Sequence, residues 1–169
     1  MSPLVDQLAK YSAYHRNTRN IATHLLGVPL IVVAVATLLS RPTFGMGALA
    51  LSPATLGAAA AALYYLRLDL RFGIVMTLLL ALSVLGGEAL AAQSTAIWLG
   101  CGMGMFVLGW VIQFVGHYYE GRKPAFADDL IGLLIGPLFV TAEIAFFLGM
   151  RLDLHRAVEM RAGPVRRRA

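Results

Sequence analysis

The chain has 169 residues and a formal net charge of +5, with 59% hydrophobic residues, 14% charged ones and a mean hydropathy of +0.72. A water-soluble domain of this size has too much surface for its volume to hide that much apolar side chain, so the composition excludes one and points to a membrane protein. The single cysteine, Cys101, lies inside an apolar run and excludes a disulfide framework or a thiolate cluster within one chain.

The N-terminal stretch is amphipathic. Leu4, Leu8 and Tyr11 recur at helical spacing and predict a short interfacial helix over 3–16 with a lipid-facing stripe. Apolar runs follow at 21–39, 46–66, 72–89, 95–115 and 130–150, each near the roughly 20 residues that cross a bilayer. Asp6 and Lys10 precede the first run and no small-residue cleavage site ends it, so it reads as an anchor rather than a removed signal. Asp69 and Glu88, near segment ends, read as structural. Gly100, Gly102 and Gly104 lie mid-span and predict close helix packing.

Basic residues set the topology, because Lys and Arg near membrane ends favour the cytoplasmic side. If the first four runs alternate from inside to outside, Lys10, Arg16, Arg19, Arg67, Arg71, Arg122 and Lys123 fall inside and only Arg41 outside. A crossing by 130–150 would strand Arg151, Arg156, Arg161 and Arg166 to Arg168 outside. That run also holds Pro137 and Glu143, which suit a broken helix packed on protein better than a simple span. The expected fold is all-α: a polytopic membrane helical bundle of four transmembrane helices, a re-entrant or in-plane fifth hydrophobic helix and an N-terminal interfacial helix. One domain over 1–155 is followed by a basic cytoplasmic tail over 156–169. The tail reads as a contact for anionic membrane lipids, not for nucleic acid.

This topology collects the polar residues on one face. His15, Asn17, Asn20 and His24 lie at the inner end of the first run, and Gln113, His117 and Glu120 at the inner end of the fourth. Asp128, Asp129 and Glu143 follow on the same side. Imidazole is the commonest metal ligand near neutral pH. One interfacial histidine is usually a headgroup contact, but three at one face make a candidate metal site of His15, His24 and His117. On one continuous helix the nine-residue step from His15 to His24 turns about 900° and puts them on opposite faces, so sharing an ion requires a break. Asn17, Thr18 and Asn20 are suitable N-cap residues for a new helix there. His155, in a basic context, reads as solvated surface.

These residues resemble a known family. Tyr14-His15-x-Asn17-x-x-Asn20-x-x-x-His24, then Pro29, is similar to the first signature of the membrane 2-hydroxy fatty acid dioxygenases. Gln113-Phe114-x-Gly116-His117-x-x-Glu120-x-x-x-Pro124-Ala125, followed by Asp128, is similar to the second, and Pro137-x-Phe139 with Glu143 to the third. The resemblance spans residues 11 to about 150. It implies an Fe2+-dependent enzyme that uses O2 to cleave a 2-hydroxy fatty acid to CO2 and an acid one carbon shorter, as in fatty acid alpha-oxidation. Three imidazoles would leave three positions on an octahedral iron, two for the substrate carboxylate and hydroxyl and one for O2. Glu120, Glu143, Asn20 and Gln113 would then support the imidazoles or supply a fourth ligand. Arg16, Arg19 and Arg122 would form a basic rim that attracts the carboxylate. The competing class is a small metal or lipid transporter or binding protein without catalysis. A di-iron hydroxylase needs more histidines than the four present. Ala-, Gly- and Arg-rich usage suggests a bacterial inner membrane, with the site on the cytoplasmic side; in a eukaryote the endoplasmic reticulum would be expected.

Overall fold

The break between the first two helices governs the N-terminal architecture. In this computed structural model, which describes residues 2–45, 51–125 and 129–166, α1 (Pro3–Ser12) ends before the histidine-bearing turn and α2 (Thr18–Leu39) begins after it. Pro3 sits in the first turn of α1, where its missing N–H costs nothing. Asn17 opens α2: its Oδ1 accepts from Arg19 N at 2.9 Å and its carbonyl from Ile21 N at 3.0 Å. Then come α3 (Pro53–Leu68), α4 (Leu70–Ala91), α5 (Thr95–Glu120), α6 (Gly132–Phe147) and α7 (Leu152–Ala162). Ser52 and Thr55 form a reciprocal capping box on α3, and Asp69 Oδ1 accepts from Phe72 N at 3.0 Å to cap α4. All described regular structure is helical.

By length and hydropathy α2, α4 and α5 can each cross a membrane. Their outward side chains agree: Leu26, Leu78, Leu82, Leu85, Val107 and Phe114 are all exposed, a surface that water would not tolerate in this quantity. The expected second run appears as α3, which at 16 residues is shorter than these spans; residues 46–50 lie outside the described residues, as do Asp128, Arg167 and Arg168. The run at 130–150 appears as α6, followed by a bend of 118° into α7, so the pair is a broken span or a re-entrant segment. Gly149 (φ 74°) and Arg151 (φ 53°) make that corner in the left-handed region.

The chain divides into two compact units. In the unit of residues 1–28 and 111–169, α1 packs against α6 and α7. Leu4 and Leu8 are each 1% exposed and Tyr11 9%, so the N-terminal stripe faces protein and not lipid. Periodicity finds an apolar face but does not say what covers it; here α6 and α7 do. In the unit of residues 29–110, α3 packs on α4, and a Cβ on Gly87 would lie 2.8 Å from the backbone of Ala36 and Thr37. The expected glycine packing holds for Gly102, whose Cβ would meet Leu38, whereas Gly100 and Gly104 point into open space.

Candidate metal centre

Three elements of one unit build a buried imidazole cluster. His15 stands in the turn between α1 and α2, His24 in the second turn of α2 and His117 near the end of α5. They are 0%, 2% and 6% exposed, and one ring nitrogen of each lies within 4.8 Å of the others. No other group of histidine, cysteine and carboxylate side chains among the described residues has this closeness.

The hydrogen bonds define which nitrogens face inward. His15 Nδ1 is 2.8 Å from the Tyr11 carbonyl and His24 Nδ1 is 2.8 Å from the Asn20 carbonyl. A carbonyl only accepts, so each Nδ1 carries the proton and each neutral ring keeps its lone pair on Nε2. Those two Nε2 atoms are 3.0 Å apart. The His117 Nδ1 is buried with no hydrogen-bond partner among the described residues. Converging lone pairs repel unless a cation lies between them. Burial, then the neighbouring His24, holds His15 well below its ordinary value despite the opposing Tyr11 carbonyl. It is therefore neutral near pH 7, the form that binds a metal rather than a proton. The donor set fits a divalent transition metal.

Gly116 permits this convergence. A Cβ there would lie 2.0 Å from Thr23 Oγ1 and 2.6 Å from Asn20 Oδ1, so only glycine lets α5 approach α2 closely enough. The His24 and His117 ring centroids are then 5.1 Å apart. Tyr11 stacks on His15 at 4.3 Å and 8°, and Phe139 of α6 stands 5.3 Å from His15, giving the cluster an aromatic wall.

Glu120 ties the two histidine-bearing elements together. Its Oε2 accepts from Arg16 N at 3.0 Å, Asn17 N at 2.8 Å and Asn20 Nδ2 at 3.1 Å, while Oε1 pairs with Arg166. The carboxylate thus satisfies backbone donors at the start of α2 that no helix turn can satisfy, and a negative charge there suits the helix dipole. Asn20 forms the hinge of the network: Nδ2 also donates to the Tyr14 carbonyl at 3.3 Å, and its own carbonyl holds His24. Gln113 lies one turn before His117 on the same buried stripe of α5. Glu143 is placed elsewhere, with Thr18, Ile21, Leu25 and Phe146 on a cavity of about 430 Å³. Neither Glu120 nor Glu143 belongs to the group of close ligand atoms.

The basic residues do not form an open rim. Arg16 is buried, with Nε donating to the His15 carbonyl and Nη1 to that of Gly163; burial lowers its pKa. Arg19 lies over the Tyr119 ring at 4.9 Å, and Arg122 donates to the Ala13 carbonyl at 3.0 Å. His155 is half-buried, not solvated: it stacks on Phe146 at 4.5 Å and stands 3.6 Å from Glu159. Two features had little sequence signal. Tyr11 could have been found from its four-residue spacing to His15. The Arg166 contact, 46 residues from Glu120, had none.

The sequence model of a family described as "2-hydroxy-palmitic acid dioxygenase Mpo1-like" matches residues 1–148, which contain all three clustered histidines. The chain belongs to the Mpo1-like family. Among the relatives of this Mpo1-like protein is the 2-hydroxy-palmitic acid dioxygenase MPO1 of Saccharomyces cerevisiae, 31% identical over 158 residues that cover 92% of this chain and 87% of the relative. No solved structure matches it.

Proposed function

We propose that this Mpo1-like protein is an Fe2+-dependent dioxygenase that cleaves 2-hydroxy fatty acids with O2. The reaction balances with no reducing cosubstrate: one 2-hydroxy acid and one O2 give an acid one carbon shorter, one CO2 and one water. The observation that carries the reading is the convergence of three buried imidazoles, with one ring nitrogen of each within 4.8 Å of the others and two Nε2 atoms 3.0 Å apart, in a chain of this family. His15, His24 and His117 would hold the iron. When bound, the iron would supply the Lewis acidity and the O2-activating redox centre that no protein side chain here can supply, while the electrons that reduce O2 come overall from the hydroxy acid.

The protein's part is positional. The carbonyls of Tyr11 and Asn20 keep the Nδ1 protons in place and so hold the ring orientations. Tyr11 and Phe139 keep water from one side of the cluster. Glu120 and Asn20 fix the start of α2 relative to the end of α5, and with it the spacing between His24 and His117. Glu143 serves the neighbouring cavity. We assign the protein to a bacterial inner membrane on its Ala-, Gly- and Arg-rich usage, or to the endoplasmic reticulum in a eukaryote, and the site to the cytoplasmic side on the bias of its basic residues.

The test is product analysis. Purified protein in detergent receives 2-hydroxypalmitate, Fe2+ and O2, and pentadecanoic acid is sought by mass spectrometry. The expected result is iron-dependent product that disappears in His24→Ala and His117→Ala. A folded, iron-loaded protein that gives no product with either enantiomer across chain lengths refutes the proposal, and metal binding or transport without catalysis then takes its place.

A further inference from the structure

Gln113 carries a polar atom that no group among the described residues satisfies. It is 4% exposed, and its Oε1 has no hydrogen-bond partner. It lies four residues before His117 on α5, about one turn, so both side chains leave the same face of the helix. That face is the protein side, because the intervening Phe114 and Val115 are exposed. Asn20 Oδ1 is also unpaired, but it is shut against α5, 2.6 Å from the point a Gly116 Cβ would occupy. Ser12 Oγ, at the end of α1, is likewise unpaired among the described residues. Gln113 Oε1 is therefore the unpaired acceptor on the buried face of α5 that also carries His117, one turn along the helix.

A carbonyl oxygen can only accept, so its missing partner must bring a donor. An ionised fatty carboxylate brings none and an alkyl chain brings none. A hydroxyl on the second carbon does. We propose that Gln113 Oε1 accepts the hydrogen bond of the substrate's 2-hydroxyl and makes Gln113 a specificity-determining residue that selects 2-hydroxy acids over unsubstituted ones. The inference rests on the dioxygenase reading of the same site and names the group that recognises its substrate. Selectivity follows because only the hydroxy acid supplies a donor to an acceptor that otherwise stays buried and unpaired.

The experiment reads binding rather than turnover. Iron-loaded full-length protein in detergent is kept free of O2, and dissociation constants for 2-hydroxypalmitate and palmitate are measured by calorimetry. In Gln113→Met, which keeps the length and loses the acceptor, the preference for the hydroxy acid should fall about tenfold, equivalent to about 1.4 kcal/mol. Palmitate affinity and iron content should hold. Gln113→Glu, which retains an acceptor oxygen, should keep the preference within about threefold of the parent. Gln113→Leu repeats the loss on a second apolar shape should Gln113→Met not fold. An unchanged preference in the apolar variants overturns the inference, as does a parallel loss of iron and of both ligands, which would make Gln113 a support for the imidazoles. Oxygen is then admitted to the unaltered protein: no pentadecanoic acid means that the dioxygenase reading itself has failed, whereas product with an unchanged apolar-variant preference removes only the role of Gln113.

Discussion

Gly116→Ala tests whether the approach of two helices builds the metal centre. The added Cβ would stand 2.0 Å from Thr23 Oγ1, about 1.4 Å inside the 3.4 Å at which ordinary contact begins, and 2.6 Å from Asn20 Oδ1. Neither neighbour can retreat cheaply. Thr23 Oγ1 donates to the Asn20 carbonyl at 2.7 Å, and Asn20 is held by Glu120 and Tyr14. Relief must come largely from α5 moving away from α2, which carries His117 away from His24. Overpacking of this kind costs about 1–3 kcal/mol. Disturbing the support of a metal ligand typically costs about 10- to 100-fold in metal affinity. We expect both in Gly116→Ala, read as a lower unfolding midpoint in detergent and a weaker metal dissociation constant by chelator competition. Gly104→Ala is the internal control: its Cβ meets nothing within 4 Å, so the change removes a helix-interior glycine at no packing cost and should be neutral or stabilising by up to about 1 kcal/mol. Thr23→Ala in the Gly116→Ala background should recover part of the loss, since the Asn20 contact remains. If Gly116→Ala and Gly104→Ala bind metal alike, the close approach does not set the site.

Three further outcomes follow from the hydrogen-bond pattern. Removing metal leaves the His15 and His24 lone pairs facing each other at 3.0 Å, so a chelator should lower the unfolding midpoint of the parent protein but leave that of His24→Ala nearly unmoved; equal shifts would count against a metal at this point. Burial pushes the His15 pKa down, so below the ordinary imidazole value of about 6.5 the unfolded chain binds a proton that the folded chain does not, and stability rises with pH. The metal-free protein should therefore hold its stability above about pH 6.5 and lose it as the pH falls through that value, with a flatter profile in His15→Gln; an identical slope in both would refute the assignment. Glu120→Ala strands the donors of Arg16, Asn17 and Asn20 and should cost about 2–3 kcal/mol by denaturant titration, more than Glu120→Gln, which keeps one acceptor oxygen. A Glu120→Ala protein as stable as its parent would show that the carboxylate does not hold the start of α2.

The residues that were legible in the sequence and those that were not differ in what they touch. Hydropathy reveals α2, α4 and α5 because lipid reads each helix as a whole. The break before α2 was legible because His15 and His24 cannot share an ion on one helix and Asn17 can begin another. The membership of the cluster follows from that single constraint plus the position of His117. What stayed hidden has backbone as its partner. The family resemblance implies Glu120 as a support for the imidazoles or a fourth ligand, whereas its oxygens are engaged by the amides of Arg16 and Asn17, the Asn20 side chain and Arg166. Arg16 reads as a rim cation, yet its guanidinium serves the carbonyls of His15 and Gly163. Backbone donors and acceptors are the same at every position, so no residue pattern announces where a carboxylate or a guanidinium will meet them. The imidazole tautomers obey the same logic, since backbone carbonyls fix both Nδ1 protons and no acidic side chain is needed. This leaves Gln113 as the polar side chain of the α5 stripe whose carbonyl has no backbone to answer it. An acceptor that the fold does not satisfy is the place where a ligand's own hydrogen-bond donor has something to gain.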